Sequence, residues 1–402
     1  MIMHAEAGHS GSSSDVAQFS AFLDDDVSRS VIEQVVRDLV IAHATVTKGT
    51  IRNAIKALGQ RRSPKTLIVD LSKSELPLSE INELADVCEP GVTVIAVGDR
   101  NDVGLFRELL NSGVSDYLVK PLTPALVQRA LLATADADTR SRQTTRLGRL
   151  VTTIGARGGV GATMLATSMA WTIANRRRRR VALLDLDLQF GSVALSLDLE
   201  PTHGLRETLE NAGRVDGLYI ERSMVQHSDS LYVLSSEEEL ADEMPRDPQA
   251  LGALTGELRS KFHYLIADIP KGFINEAHAI IKESTHTVIV TDFSLVAMRD
   301  TLRLTQNIAN QNAASQIIIV ANRVGEYRQG EIARREFEKA IGRQIDLAIP
   351  FQTKSVHSAM NMGSPAAGAN KVIEAALDNL IDLISGTSGS SKPSLLQRIW
   401  QA

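Results

Sequence analysis

Short apolar runs alternate with longer amphipathic stretches along the first third of the chain. Phe19 to Leu23 is followed by Val27 to Leu39, Ala44 to Val46 by Ile51 to Leu58, and Leu67 to Val69 by Ile81 to Val87. Val92 to Val97 then precedes Val103 to Leu110, and Tyr117 to Val119 precedes Pro124 to Ala133. The short runs have the length of buried strands and the stretches between them the length and spacing of helices. Five such units in succession predict a parallel sheet covered by helices on both faces.

The first domain is therefore expected over residues 18–133 as a flavodoxin-like α/β sheet. Residues 134–149, with DADTRSRQTTRLGR among them, are polar and lack a core pattern, which predicts an interdomain linker. Strand-like runs resume at Leu150 to Ile154, Val181 to Leu184, Tyr264 to Ala267, Thr287 to Thr291 and Ile317 to Ala321, with a helical pattern at Met164 to Ala174. They predict a second α/β domain over residues 150–385, again a doubly wound parallel sheet. Both domains are expected to fold independently. Residues 1–17 are small and polar and are expected to be disordered. Residues 386–402 form a flexible tail ending in SLLQRIWQA, where Leu395, Leu396, Ile399 and Trp400 share one helical face opposite Arg398. Such a face suits either a membrane surface or a groove on another protein.

A length of 402 residues agrees with two or three domains, and an apolar fraction of 43% is ample for packed cores. The formal charge of −5 gives no electrostatic case for nucleic-acid binding. The single cysteine, Cys88, excludes an internal disulfide and suits a reducing compartment. The chain shows neither a signal-peptide pattern nor an apolar run of about twenty residues, so a soluble cytoplasmic protein is expected. Arg176 to Arg180 reads either as a helix end favoured by the macrodipole or as a patch for anionic lipid or DNA; the helix end is the preferred reading.

The strongest chemical signal is GARGGVGAT, Gly155 to Thr163, at a strand-to-helix turn. Gly158, Gly159 and Gly161 allow successive backbone N–H groups, Val160 included, to curl around an anion at the positive end of a helix. Thr163 offers a hydroxyl to magnesium. The lysine usual before that threonine is Ala162, and loss of one charge-assisted hydrogen bond, about 1.5–3 kcal/mol, weakens nucleotide binding roughly ten- to a hundredfold. Hydrolysis should suffer more, because charge grows there in the transition state.

A cation at Arg157 resembles the deviant Walker motif of the ParA and MinD ATPases, where a lysine at this place reaches the partner's nucleotide across a dimer. Further motifs follow in that family's order. Asp185, Leu186, Asp187 resembles its first switch, which implies that Asp187 positions the attacking water and stands near the metal. Asp268, Ile269, Pro270 resembles its Walker B segment, which implies that Asp268 holds magnesium through water, together with Thr163. The segment Asp292 to Leu304 resembles the lead into the next helix, and Asn322 with Arg323 stands where the family reads adenine. The nucleotide-contacting set implied is Arg157 to Met164 with Asn322 and Arg323, and the cofactors are ATP and Mg2+. Asp185 to Leu205, then ETLENAGRVD and LYVLSSEEE, resembles the CpaE or TadZ pilus-assembly proteins of the Flp/Tad type IV pilus system. These place a receiver-like domain before a MinD-like one and frequently lack the P-loop lysine.

In the first domain GVSDYLVKPL, with Lys120 and Pro121, resembles the end of a response-regulator receiver. Asp24, Asp25 and Asp26 would supply its acid cluster, Asp70 its phosphoryl acceptor and Lys120 its cation. The usual Thr or Ser at the end of the fourth strand is Gly98, and Leu71, Ser72, Lys73 depart from the pattern. A pseudo-receiver used for docking or dimerisation is therefore expected. The resemblance implies an ATP-binding homodimer with reduced hydrolysis that helps position pilus secretion machinery at a pole or the inner membrane, with no specific nucleic-acid partner. A DNA-partition or MinD-type positioning ATPase and a response regulator with an ATPase-like output are the competing classes.

Overall fold

A computed structural model describes residues 17–137, 147–210, 217–240, 247–327, 329–368 and 370–386. The expected disordered N-terminus, most of the linker and the amphipathic tail at Leu395 to Trp400 lie outside the described residues. The chain divides into two compact units, residues 1–146 and 147–402.

The N-terminal unit runs β1 (Phe19–Leu23), α1 (Asp26–Asp38), β2 (Ala44–Lys48), α2 (Ile51–Leu58), β3 (Thr66–Asp70), α3 (Pro77–Val87), β4 (Thr93–Gly98), α4 (Val103–Asn111), β5 (Asp116–Val119) and α5 (Pro124–Ala137). The helix α5 extends past residue 133 to Ala137, four residues into the stretch expected to be linker. Among the described residues five parallel strands pair in the order β2-β1-β3-β4-β5, the flavodoxin-like arrangement. Successive strand residues face opposite layers. Phe22, Leu67 and Val69 pack toward α2 and α3, while Phe19, Ala21, Leu23 and Ile68 pack toward α1 and α5. The inner strands β1, β3 and β4 are thus buried on both faces, which explains why their runs are continuously apolar, while the edge strand β2 stays largely exposed.

The C-terminal unit opens with β6 (Arg149–Gly155), α6 (Ala162–Asn175), β7 (Val181–Asp185), α7 (Gly204–Glu210), α8 (Gly217–Ser223), β8 (Val225–Ser228), β9 (Leu231–Leu234) and α9 (Pro248–Lys261). It continues with β10 (Tyr264–Ile269), α10 (His278–Glu283), β11 (His286–Thr291), α11 (Leu295–Gln311), β12 (Gln316–Val324), α12 (Arg334–Ile341), β13 (Leu347–Pro350), α13 (Thr353–Asn361) and α14 (Lys371–Ser385). Among the described residues eight strands pair in the order β13-β12-β11-β6-β10-β7-β9-β8, parallel except for β8 against β9. Leu150, Ile154, Leu184 and Ile289 face α9 and α11, and Val151, Leu183, Val288 and Val320 face α6 and α14. In α6, Leu165, Met169 and Ile173 are fully buried, and truncating any one to Ala costs about 2–5 kcal/mol.

The arginine run closes α6 as a helix end. Arg176 and Arg177 pair with Asp378 at 3.2 and 3.6 Å, and Arg177 reaches Asp382 at 2.9 Å. Arg180 lies over the rings of Tyr232 and Phe262 at 5.3 and 4.7 Å. These guanidinium groups are engaged by their own chain, against the alternative of a free anion-binding patch.

Candidate functional site

The strand β6 sits between β10 and β11 at the centre of its sheet, so the loop leaving its carboxyl end stands in the crevice where open α/β sheets hold ligands. The loop is fixed at once by Ala156 N–H donating to the Val290 carbonyl at 2.8 Å. Gly159 (φ +79°) and Gly161 (φ +90°) adopt the left-handed conformation that only glycine takes without strain. A Cβ on Gly161 would also fall 2.6 Å from Asn322 Nδ2, whereas one on Gly158 would meet nothing within 4 Å. The loop is braced from behind and open in front.

Asn322, 4% exposed at the end of β12, donates Nδ2–H to the Val160 carbonyl at 2.8 Å, and Arg323 donates to the Gly159 carbonyl at 2.7 Å. Val160 buries its side chain in the core and Met164 packs beneath the loop. Loop, strand ends and the β13–α13 turn enclose a cavity of about 520 Å³ that also meets Asp185, Asp187, Asp268, Lys271, Phe351 and His357. That volume lies within the range of small-molecule sites.

Three carboxylates gather at one side. Asp185 and Asp268 are register partners on β7 and β10. Thr163 Oγ1 donates to Asp268 Oδ2 at 2.6 Å. Burial, then the charges of Asp268 and Asp187, push the Asp185 carboxyl up to about 7, although N–H groups of Val193 and Asp187 donate to it. Burial, opposed by the Thr163 hydrogen bond and helped by the Asp187 charge, pushes Asp268 up to about 6. Asp187 accepts the Phe190 N–H at 3.0 Å and lines the cavity. Among the described residues no three His, Cys, Asp or Glu side chains converge closely enough to hold a metal ion by themselves. A cation here would need the Thr163 hydroxyl and phosphate oxygens besides Asp268, and two desolvated carboxyls with raised pKa values are a site that a cation would relieve.

The cavity's cations are already paired. Arg157 holds Asp292, Lys271 holds Asp300 and Arg323 holds Glu326. Sequence reading singled out none of these three acids as site residues, nor Lys271 or Asp185. Asp185 and Asp292 stand directly at strand ends, a position that marks the ligand edge of a parallel sheet.

In the N-terminal unit Asp24, Asp25, Asp70 and Lys120 do come together. Asp70, 1% exposed, accepts from the Asp24 N–H (3.0 Å), the Ser72 N–H (2.9 Å) and Lys120 Nζ (2.7 Å). Lys120 also contacts Asp25 at 2.7 Å, and Lys73 pairs with Asp24 at 2.8 Å. Asp26 belongs to a different grouping: it opens α1 and faces Arg29 and Lys48. Burial raises the Asp25 and Asp70 carboxyls, but the hydrogen bonds from Lys120 and neighbouring N–H or O–H groups outweigh it, holding Asp25 at about 2 and Asp70 below the usual range. Two ammonium groups sit on three carboxylates, leaving the pocket with a net negative charge, and Lys120 stands on Asp70 as the receiver pattern expects. The hydroxyl position departs from that pattern. A Cβ on Gly98 would fall 2.5 Å from the phenol oxygen of Tyr117, which donates to the Arg100 carbonyl at 2.9 Å.

Residues 146–346 match the family model of ParA, the NUBPL iron-transfer P-loop NTPase. The septum site-determining protein MinD of Thermotoga maritima is 24% identical over 249 residues, covering 60% of this chain and 89% of that protein. The structure of MinD complexed with Mg-ADP from Pyrococcus horikoshii aligns with TM-score 0.51 at 19% identity, covering 60% of this chain and 98% of that one. The structure of the pilus assembly protein CpaE from Caulobacter crescentus is 34% identical over 29% of this chain and 91% of its own, with TM-score 0.28.

Proposed function

The chain belongs to the ParA family of P-loop NTPases, and from that premise we propose that it binds Mg-ATP weakly, pairs with a second copy when it does so, and serves the Flp/Tad pilus secretion system as a CpaE-like assembly and localisation protein. The observation that carries the nucleotide reading is the glycine loop open to a cavity beside the Thr163–Asp268 pair. In this reading the N–H groups from Gly158 to Thr163 hold phosphate, Thr163 and Asp268 hold the magnesium ion, and Asp187 orients water. Bound Mg2+ supplies charge neutralisation at the phosphates. Asn322 keeps the loop in shape, and Arg323, 5.4 Å over the Phe351 ring and bonded to the Gly159 carbonyl, continues the wall of the cavity.

Ala162 leaves no lysine in the loop, and the cavity's three cations are each tied to a carboxylate, so ATP acts mainly as a conformational ligand. The pilus role rests on the resemblance of Asp185 to Leu205 and its following segments to the CpaE family. The N-terminal unit then works as a docking or dimerisation module, with the oxygens of its acid pocket engaged by Lys73 and Lys120. Iron handling is left out of the reading, because the chain's one cysteine is buried in the N-terminal unit. Among the described residues no helix is long and apolar enough to cross a membrane, and we assign membrane or pole attachment to the tail at Leu395 to Trp400. Mg-ATP titration by calorimetry, with sedimentation velocity on the same samples, tests the nucleotide reading: saturable binding accompanied by dimer formation is expected. Normal piliation in cells lacking the protein rejects the pilus role.

A further inference from the structure

The loop's own cation is not free to reach outward. Arg157 places its guanidinium on Asp292 Oδ2 and donates a second bond to the Gly158 carbonyl at 2.9 Å. Asp292 is held ready for this contact, since its Oδ1 accepts from Ser294 N–H at 3.2 Å and Ser294 Oγ–H at 2.6 Å. Ser294 in turn caps α11, accepting from Ala297 N–H at 3.3 Å, so the carboxylate is anchored to a helix start and only 13% exposed. The cation that the family resemblance assigns to the partner's nucleotide therefore rests on an acid of its own chain.

We propose that Asp292 is an intrachain latch on Arg157: it occupies the guanidinium fork until nucleotide phosphate on a second copy competes for it, and so sets the ATP concentration at which two chains pair. The inference rests on the nucleotide-dependent pairing proposed above. An arginine fork binds carboxylate and phosphate through the same planar geometry, so exchanging one for the other needs no rebuilding of the site. Arg157 in the latched position is 32% exposed, which leaves an incoming phosphate access to it. The latch also suits a loop without its second lysine, because an unrestrained Arg157 would be the nearest cation for a phosphate bound to its own chain.

Asp292→Asn tests the latch in the full chain. The amide retains an acceptor for Ser294 and hence the cap of α11, but loses the charge that holds Arg157. Sedimentation velocity across an Mg-ATPγS titration should show half-maximal pairing at roughly tenfold lower nucleotide or less, the worth of one charge-assisted bond. Arg157→Ala with Asp292→Asn should abolish that gain, as coupled residues do in a double-mutant cycle. Pairing at unchanged or higher nucleotide, with Mg-ATPγS binding intact, overturns the latch and makes Asp292 a residue that positions Arg157 for pairing. Absence of Mg-ATPγS binding by either chain overturns the nucleotide reading and the latch with it.

Discussion

Restoring a lysine at position 162 should tighten Mg-ATP binding about ten- to a hundredfold. Ala162 is the first residue of α6 and lines the cavity between the loop and the Thr163–Asp268 pair. Phosphate there meets backbone N–H groups and the helix end but no unpaired side-chain cation, since Arg157, Lys271 and Arg323 each hold a carboxylate. One ammonium bonded to a phosphate contributes about 1.5–3 kcal/mol net of its desolvation and ordering, and about 1.4 kcal/mol corresponds to a factor of ten. The new charge also lies near two desolvated carboxyls, so it should pull Asp185 and Asp268 down from their raised values. Two readouts of Ala162→Lys follow: a lower dissociation constant by calorimetry and a smaller proton release on Mg-ATP binding. Folding is checked by circular dichroism. A folded variant whose affinity is unchanged or weaker would refute the assignment of phosphate to this loop. Brisk wild-type hydrolysis lost in Asp187→Ala would refute the reduced chemistry.

Without nucleotide, the C-terminal unit should lose stability as pH rises from about 4 to 7. Asp185 and Asp268 keep their protons longer folded than unfolded, so the penalty is absent below the unfolded pKa near 4 and complete above about 7. Thermal scans should show this slope, flattened in Asp185→Asn, and Mg-ATP should bind more tightly at pH 8 than at pH 6. The N-terminal unit should behave oppositely: the lowered Asp25 and Asp70 contribute above about pH 4 and lose that contribution as pH falls toward 2. Incubation with a small phosphodonor and magnesium should leave the intact mass unchanged, and a stable adduct at Asp70 would overturn the pseudo-receiver reading. Gly98→Thr should destabilise by about 1–3 kcal/mol in denaturant unfolding, because its Cβ meets Tyr117.

The legible part of this molecule is what local sequence determines. Continuous apolar runs marked buried parallel strands, and the glycines of Gly155 to Thr163 marked a turn that needs left-handed backbone. Asp268, immediately after one such run, and Asp187, three residues after another, do reach one cavity, because every parallel strand points its carboxyl end to the same edge. Pairings between distant elements were not legible. Lys73 meeting Asp24, or Asp292 meeting Arg157, depends on which strands become neighbours, and the order β11-β6-β10 is not written in any local pattern. Glu374, Asp378 and Asp382 form an acid stripe at helical spacing, yet only packing gives them Arg176 and Arg177 as partners. The antiparallel β8–β9 pair was also missed, its strands being too short to carry a period.

The central position of β6 has a consequence for how the protein is made. β6 opens its unit, but its two neighbours, β10 and β11, are synthesised more than a hundred residues later. At about 5–20 residues per second, the phosphate-loop strand waits on the order of ten seconds with both edges unpaired after it leaves the ribosome. The N-terminal unit completes its sheet before that wait begins, since all its strands precede β6. The apolar run Leu150 to Ile154 thus spends that interval without its strand partners, and the nucleotide cavity is among the last parts of the protein to exist.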